Sequence, residues 1–257
     1  MSAHTTLSEK ERAELEAKVA NTIAVLQQAE SEYAKDKVVF ANSLGAEDVV
    51  ITDLISKHSP SIGMFVLDTG RLPEETLKLL TDVQALYSNI QVDVYYPEAG
   101  DVEQYVKEHG VNAFFESQER RKGCCFVRKI KPLKRALSNR EAWITGLRRE
   151  QSVTRDEIGF KEFDEGNGID KFNPLADWTE ADIWEYINAN KVPYNALHDQ
   201  NYPSIGCAPC TRAISAGEDV RAGRWWWENP ETRECGLHPG TPVVEAKPIN
   251  VMDFLPK

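Results

Sequence analysis

The 257-residue chain carries 41 acidic against 30 basic side chains, a net charge of −11 with histidine neutral. That balance argues against a nucleic-acid surface, and no apolar run approaches the ~20 residues of a membrane span, so neither nucleic acid nor membrane is expected as a partner. With 41% hydrophobic residues the chain can pack one large or two small domains.

The first residues, Met1-Ser2-Ala3-His4, lack the charged and apolar regions of a signal peptide, so a cytoplasmic protein with reduced cysteines is expected. Ser8 and Glu11 read as a capping box, opening a helix on which Leu15, Val19, Ile23 and Leu26 keep helical spacing. Residues 37–41 (KVVFA) read as a buried parallel strand that runs into Asn42-Ser43-Leu44-Gly45-Ala46-Glu47-Asp48 and then a helical pattern. Strand, small-residue loop and helix can present backbone N–H groups to an anion, although such a loop can equally serve only to turn the chain.

A second strand, 62–67, ends in Asp68-Thr69-Gly70-Arg71, with Pro73 suited to the first turn of the next helix. Asp68 and Thr69 either face a ligand at the carboxyl end of the strand or cap that helix. Residues 91–96 predict a third strand and 101–109 a further helix. The alternation points to an α/β fold: an open, mostly parallel, twisted sheet with helices on both faces.

Arg120, Arg121, Lys122, Arg128, Lys129 and Lys131 crowd twelve residues of an acidic chain, around Cys124-Cys125. A charge run is usually a solvated face, but this concentration beside cysteines favours an anion site. Residues 142–145 predict a strand leading to the loop from Gly146 to Arg155. Residues 160–171 read as an exposed polar connection, and Thr179 as the cap of an amphipathic helix carrying Ile183, Trp184 and Ile187. The loop 193–206 delivers Cys207-Ala208-Pro209-Cys210. Arg212, Arg221 and Arg224 follow, then Trp225-Trp226-Trp227, for which packing is the expected role. Three segments result: an N-terminal helical segment (1–36), an α/β domain (37–228), and a mobile, Gly- and Pro-containing tail (229–257) that carries the lone Cys235.

Four of the five cysteines thus form two pairs, one adjacent and one CxxC. Neighbouring cysteines do not bond each other without strain, and two pairs brought together by folding would supply four thiolates to one centre, a structural zinc or an iron–sulfur cluster. Zinc sites usually use two CxxC hairpins, so the adjacent pair favours a cluster.

The loop SLGAED (43–48), LDTGRLPEET (67–76), CCFVRKIKPL (124–133), TGLRREQS with Arg155, GCAPCTR (206–212) and ECGLH (234–238) occur in this order. On these motifs the chain resembles the assimilatory adenylyl-sulfate (APS) reductases of the phosphoadenylyl-sulfate reductase family, over roughly residues 38–238. The resemblance implies the adenine-nucleotide α-hydrolase-like fold. It also implies reduction of APS to sulfite and AMP, with thioredoxin or a similar dithiol as reductant. Two departures from related patterns stand out. The loop lacks the SGGxDS signature of PP-loop ATP pyrophosphatases, and Leu44 stands where some bacterial reductases have a second serine.

By the same resemblance Cys124, Cys125, Cys207 and Cys210 hold a [4Fe–4S] cluster, and Cys235 is the nucleophile that forms S-sulfocysteine. Substrate contacts fall to Asn42, Ser43 and Gly45 of the first loop, and to Leu67, Asp68 and Thr69 of the second. Lys129, Gly146, Arg155, Arg221, Arg224 and His238 complete the set. Relatives that use the 3′-phosphorylated substrate (PAPS) lack the paired cysteines, which makes APS the expected substrate; dual use and a homo-oligomeric state stay open.

Overall fold

A computed structural model describes residues 9–151 and 158–229. The first helix, α1 (Glu9–Glu32), buries Leu15, Val25, Leu26 and Ala29 in the main core. Thr22 ties it down, donating to Pro174 O (2.9 Å) and accepting from Trp178 Nε1 (3.0 Å). Three short strands then alternate with helices: β1 (Val38–Ala41), α2 (Ala46–His58), β2 (Gly63–Leu67), α3 (Glu74–Leu86), β3 (Val92–Tyr95) and α4 (Ala99–His109). After α5 (Gln118–Cys125) and one π turn (Phe126–Ile130) come α6 (Lys131–Leu137) and β4 (Ala142–Ile144). β5 (Lys161–Asp164), β6 (Ile169–Phe172) and α7 (Glu180–Asn190) follow.

The six strands form one sheet in the order β3-β2-β1-β4-β6-β5, parallel except where β5 runs antiparallel to β6. Because successive side chains point to opposite faces, Phe40, Met64, Val66 and Ile144 enter one core with α1, α2 and α7, while Val39, Phe65 and Trp143 enter another with Leu133, Ala136 and Leu137 of α6. Both faces are therefore covered, as a parallel sheet requires. β1 lies at the centre, and the chain leaves it towards β2 on one side and β4 on the other. In an open sheet this reversal of strand order opens a crevice at the carboxyl ends of the strands. The loops 42–45, 68–73 and 145–151 all start there.

Two expectations change. Residues 160–171 are not a plain connection: 161–172 form the β5–β6 hairpin, closed by a turn in which Asp164 Oδ1 accepts from Gly166 N (3.0 Å). The alternation was hidden because Phe163 points to solvent while the buried Lys171 pairs with Glu162 at 2.5 Å. The cationic stretch 118–137 is almost entirely helical, and its π turn sits directly after Cys125. The capping box of Thr179 with Asp182 is present, whereas Ser8 lies outside the described residues.

Candidate active site at two cysteine pairs

Ser117 caps α5, its Oγ accepting from Arg120 N (3.2 Å), and the helix ends on Cys124 and Cys125. Pro209 helps set the tight turn of the second pair, closed by Cys210 N donating to Cys207 O (2.9 Å). All four cysteines line one pocket together with Arg71, Phe114, Arg121, Arg128, Lys129 and Pro209, with an empty volume of about 310 Å³ counting its open side. None is in a disulfide. Burial pushes the Cys210 thiol up to about 12 and raises that of Cys124, against which Arg128 and Arg71 act.

Among the described residues no three His, Cys, Asp or Glu side chains are grouped closely enough to hold a metal ion, while all four thiols line the one pocket. The donor set still suits a soft metal centre: four sulfurs, an apolar backing of Phe114 and Trp225, and cations placed to offset thiolate charge.

The loop after β2 is interlocked with this pocket. Thr69 Oγ1 lies 3.2 Å from Cys207 Sγ and also accepts from Arg71 N (3.2 Å). Arg128 Nη1 donates to Thr69 O (2.6 Å), and Ala208 N donates to Arg71 O (2.8 Å). Asp68 Oδ1 accepts from Gly70 N (2.8 Å), turning the chain where Gly70 adopts φ +67. The N-cap of α3 is Pro73, so Asp68 and Thr69 do not cap that helix. Leu67, half-buried, ends β2 just before them.

In the loop after β1, Asn42 is turned inward: its amide donates to Thr52 Oγ1 (2.9 Å) and its carbonyl oxygen accepts from Leu44 N (2.7 Å). Asn42 thereby shapes the loop, holding the buried Leu44 at φ 63. Ser43 donates from both N and Oγ to Asp48 Oδ2 at 2.6 Å, and Gly45 is the N-cap of α2. Burial raises the Asp48 carboxyl to about 7, although the Ser43 bonds pull the other way. Gly146 closes against Asp48: a Cβ there would stand 2.1 Å from its Oδ1. Arg148 joins the two loops by pairing with Glu47 at 2.9 Å.

The cations divide by partner. Arg120 pairs with Glu116, Arg121 with Glu228 and Lys131 with Asp101, so half of the run serves structure. Arg128 and Lys129 line the pocket. Arg224 is buried over the Trp225 ring, and its guanidinium occupies the space a Cβ on Gly206 would fill, 2.3 Å from Nη2. Arg221 sits half-buried in the preceding turn. Arg155, Cys235 and His238 lie outside the described residues.

The phosphoadenosine phosphosulfate reductase domain family matches residues 37–213. The chain belongs to that family. It is 57% identical over 203 residues, 79% of each chain, to the adenosine 5′-phosphosulfate reductase of Allochromatium vinosum. Among solved structures it is similar to the phosphoadenylyl-sulfate reductase of Candida auris in a phosphate complex, at 28% identity and TM-score 0.64, over 82% of this chain and 99% of that one. The Candida glabrata FMN adenylyltransferase shares the fold at 13% identity and TM-score 0.57, over 97% of this chain and 83% of that one.

For this member of the family, the structure adds to the residues picked out by sequence. Arg71 and Arg128 line the cysteine pocket, yet each donates to a backbone carbonyl and neither has a carboxylate partner among the described residues. Arg71 also lies 5.0 Å above the Phe114 ring. Arg128 already stood out in the cationic run around Cys124-Cys125, whereas the only sequence signal for Arg71 was membership in LDTGR, a motif whose other residues drew the attention.

Proposed function

We propose that the chain reduces APS to sulfite and AMP, using a dithiol such as thioredoxin. The observation that supports this best is the meeting of two cysteine pairs with Arg71, Arg128 and Lys129 beside the loop that carries Asp68 and Thr69. The sulfur of an acyl-like sulfate–phosphate anhydride is shielded by anionic oxygens, which cations must neutralise before a thiolate can approach.

In this reading the Cys235 thiolate attacks that sulfur. An S–S bond forms as the S–O bond to the phosphate breaks, and AMP leaves with the electron pair. A thiolate of the external dithiol then attacks Cys235 Sγ and sulfite departs; the dithiol ends oxidised and Cys235 is regenerated. Lys129, Arg155, Arg221 and Arg224 bind the sulfate and phosphate oxygens, with Ser43, Gly45, Gly146 and His238 completing the nucleotide site. Cys124, Cys125, Cys207 and Cys210 would hold a [4Fe–4S] cluster, which supplies a fixed charge beside the substrate with no net redox change. The acidic composition and the lack of any described helix long and apolar enough to cross a membrane suit work in the cytoplasm.

The test is turnover with APS, PAPS and ATP in parallel, with thioredoxin as reductant. Sulfite and AMP in equal amounts from APS support the assignment, while pyrophosphate release from ATP overturns it. Iron and acid-labile sulfide should each approach about four per chain in anaerobically purified protein; stoichiometric zinc without iron rejects the cluster. Lys129→Ala should lower kcat/KM by about 10–150-fold, the worth of one charge-assisted hydrogen bond.

A further inference from the structure

Arg121 is among the largest fully buried side chains. Its Nε reaches Glu228 Oε1 at 2.5 Å and its Nη2 reaches Oε2 at 3.0 Å, with side-chain exposures of 1% and 7%. The Arg121 guanidinium also lies 4.4 Å above the Trp225 ring, and that of Arg224 lies 4.7 Å from the same ring. Trp225 adopts φ 43, a conformation that costs free energy for a bulky residue and persists only where its surroundings enforce it. Those surroundings include Trp225 N donating to Cys210 O (3.2 Å) and Glu228 N donating to Trp225 O (2.8 Å).

A buried ion pair adds little net stability, because desolvating both groups offsets their attraction; its use is to fix geometry. Here it joins α5, three residues before Cys124, to the segment that leads after seven further residues to Cys235. We propose that the Arg121–Glu228 pair, with Trp225 held between two guanidinium groups, is a clasp. It fixes the root of the Cys235 segment against the cysteine-pair helix, which makes Arg121 and Glu228 positioning residues for sulfur transfer. This rests on the reading of Cys235 as the nucleophile.

A slack tether would behave differently. Lengthening it from seven residues to nine lowers the effective concentration of its end by only about 1.5-fold. A root that sets the approach of the nucleophile is far more sensitive, since small misplacements of reacting groups cost large factors.

The experiment is single turnover with APS and no reductant, timing the gain of about 80 Da, one SO₃ group, on the Cys235 peptide. Glu228→Gln, Arg121→Met and an insertion of two glycines after Asn229 are compared with the wild type. In all three the adduct should form at least about tenfold more slowly, while AMP affinity and iron content stay within twofold of wild type in Glu228→Gln and in the insertion variant. The insertion leaves the buried pair intact, so it answers even where a substitution prevents folding. Adduct formation in the insertion variant within twofold of wild type overturns the clasp, as does a folded, AMP-binding Glu228→Gln variant sulfonated at the wild-type rate. If the wild type forms no adduct on Cys235, the nucleophile assignment fails and the clasp with it; an adduct at equal rates in all four proteins removes the clasp alone.

Discussion

Thr69 and Cys207 stand 138 positions apart in the chain, and Thr69 Oγ1 lies 3.2 Å from Cys207 Sγ. One hydroxyl thereby connects the turn after β2 to the first cysteine of the CxxC turn, while accepting from Arg71 N on its other side. With Arg128 Nη1 on Thr69 O and Ala208 N on Arg71 O, the loop after β2 and the cysteine pocket are tied together by three contacts.

Thr69→Val keeps the shape of the side chain and removes both interactions. The loss should be about 1–3 kcal/mol, the cost of leaving a donor unpaired together with one hydrogen bond. Thr69→Ser, which keeps the hydroxyl, should recover most of it. Urea unfolding of the two variants measures the difference, and equal midpoints for Val and wild type would show that the hydroxyl contributes nothing.

Two glycines near the CxxC turn should respond in opposite ways. A Cβ on Gly206 would meet the Arg224 guanidinium at 2.3 Å, the far end of a flexible side chain that can swing aside. A Cβ on Gly223 would meet Arg212 O at 2.3 Å, which is backbone. Gly206→Ala should therefore fold almost normally but lose substrate affinity as Arg224 is displaced. Gly223→Ala should lose stability by roughly 1–3 kcal/mol, as overpacking does. Melting curves and AMP binding on the same two proteins separate the effects. A Gly206→Ala variant with unchanged affinity would mean that Arg224 does not reach the substrate.

The sheet was legible because its central strands are short, β-branched and buried on both faces: residues 37–41 and 62–67 predict β1 and β2 to within one residue. The hairpin 161–172 was not, since the four-residue edge strand β5 exposes Phe163 and its neighbour β6 buries Lys171 as an ion pair with Glu162, which leaves no alternating apolar face to read. At the site, cysteine spacing announced the pairs. The partner choice within the cationic stretch stayed hidden, because Glu228 lies 107 positions from Arg121 and only folding brings them together. The partners of Asn42 were hidden in the same way: its side-chain amide meets Thr52 Oγ1 and Leu44 N, and the Thr52 contact exists only once the helix after the loop has formed.

Asp48 gives the fold a pH dependence of defined sign. Burial raises its carboxyl from an ordinary 3.8 to about 7, so between those values the folded chain holds a proton that the unfolded chain has released. Stability then falls as pH rises from about 4 to about 7 and levels off above it, at ~1.4 kcal/mol per unit of difference as an upper scale. Asp48→Asn removes the titration and should flatten that part of the curve, leaving the variant more stable than wild type at pH 8. Urea midpoints at pH 5, 6, 7 and 8 provide the check. Parallel curves for the two proteins would place the titrating group elsewhere.

Cys235 is the one cysteine outside the two pairs, in the ECGLH motif seven residues beyond Glu228. The four pocket thiols are poor candidates for attack: burial raises the thiols of Cys124 and Cys210, and a metal centre would occupy all four sulfurs. A thiol on a separate segment can meet the substrate first and the reductant afterwards, which two buried pairs cannot do. Cys235→Ser should therefore retain iron, visible absorbance and AMP affinity, yet produce no sulfite with thioredoxin and gain no SO₃ with APS, since a serine hydroxyl is far too weak an acid to supply the nucleophile. Cys210→Ser should do the reverse, losing iron while Cys235 remains open to alkylation. Iron content, AMP binding, sulfite release and peptide mass, measured on both variants, distinguish the roles. Sulfite formation by Cys235→Ser, or an SO₃ adduct on any of the four pocket cysteines, would place the chemistry on the wrong thiol.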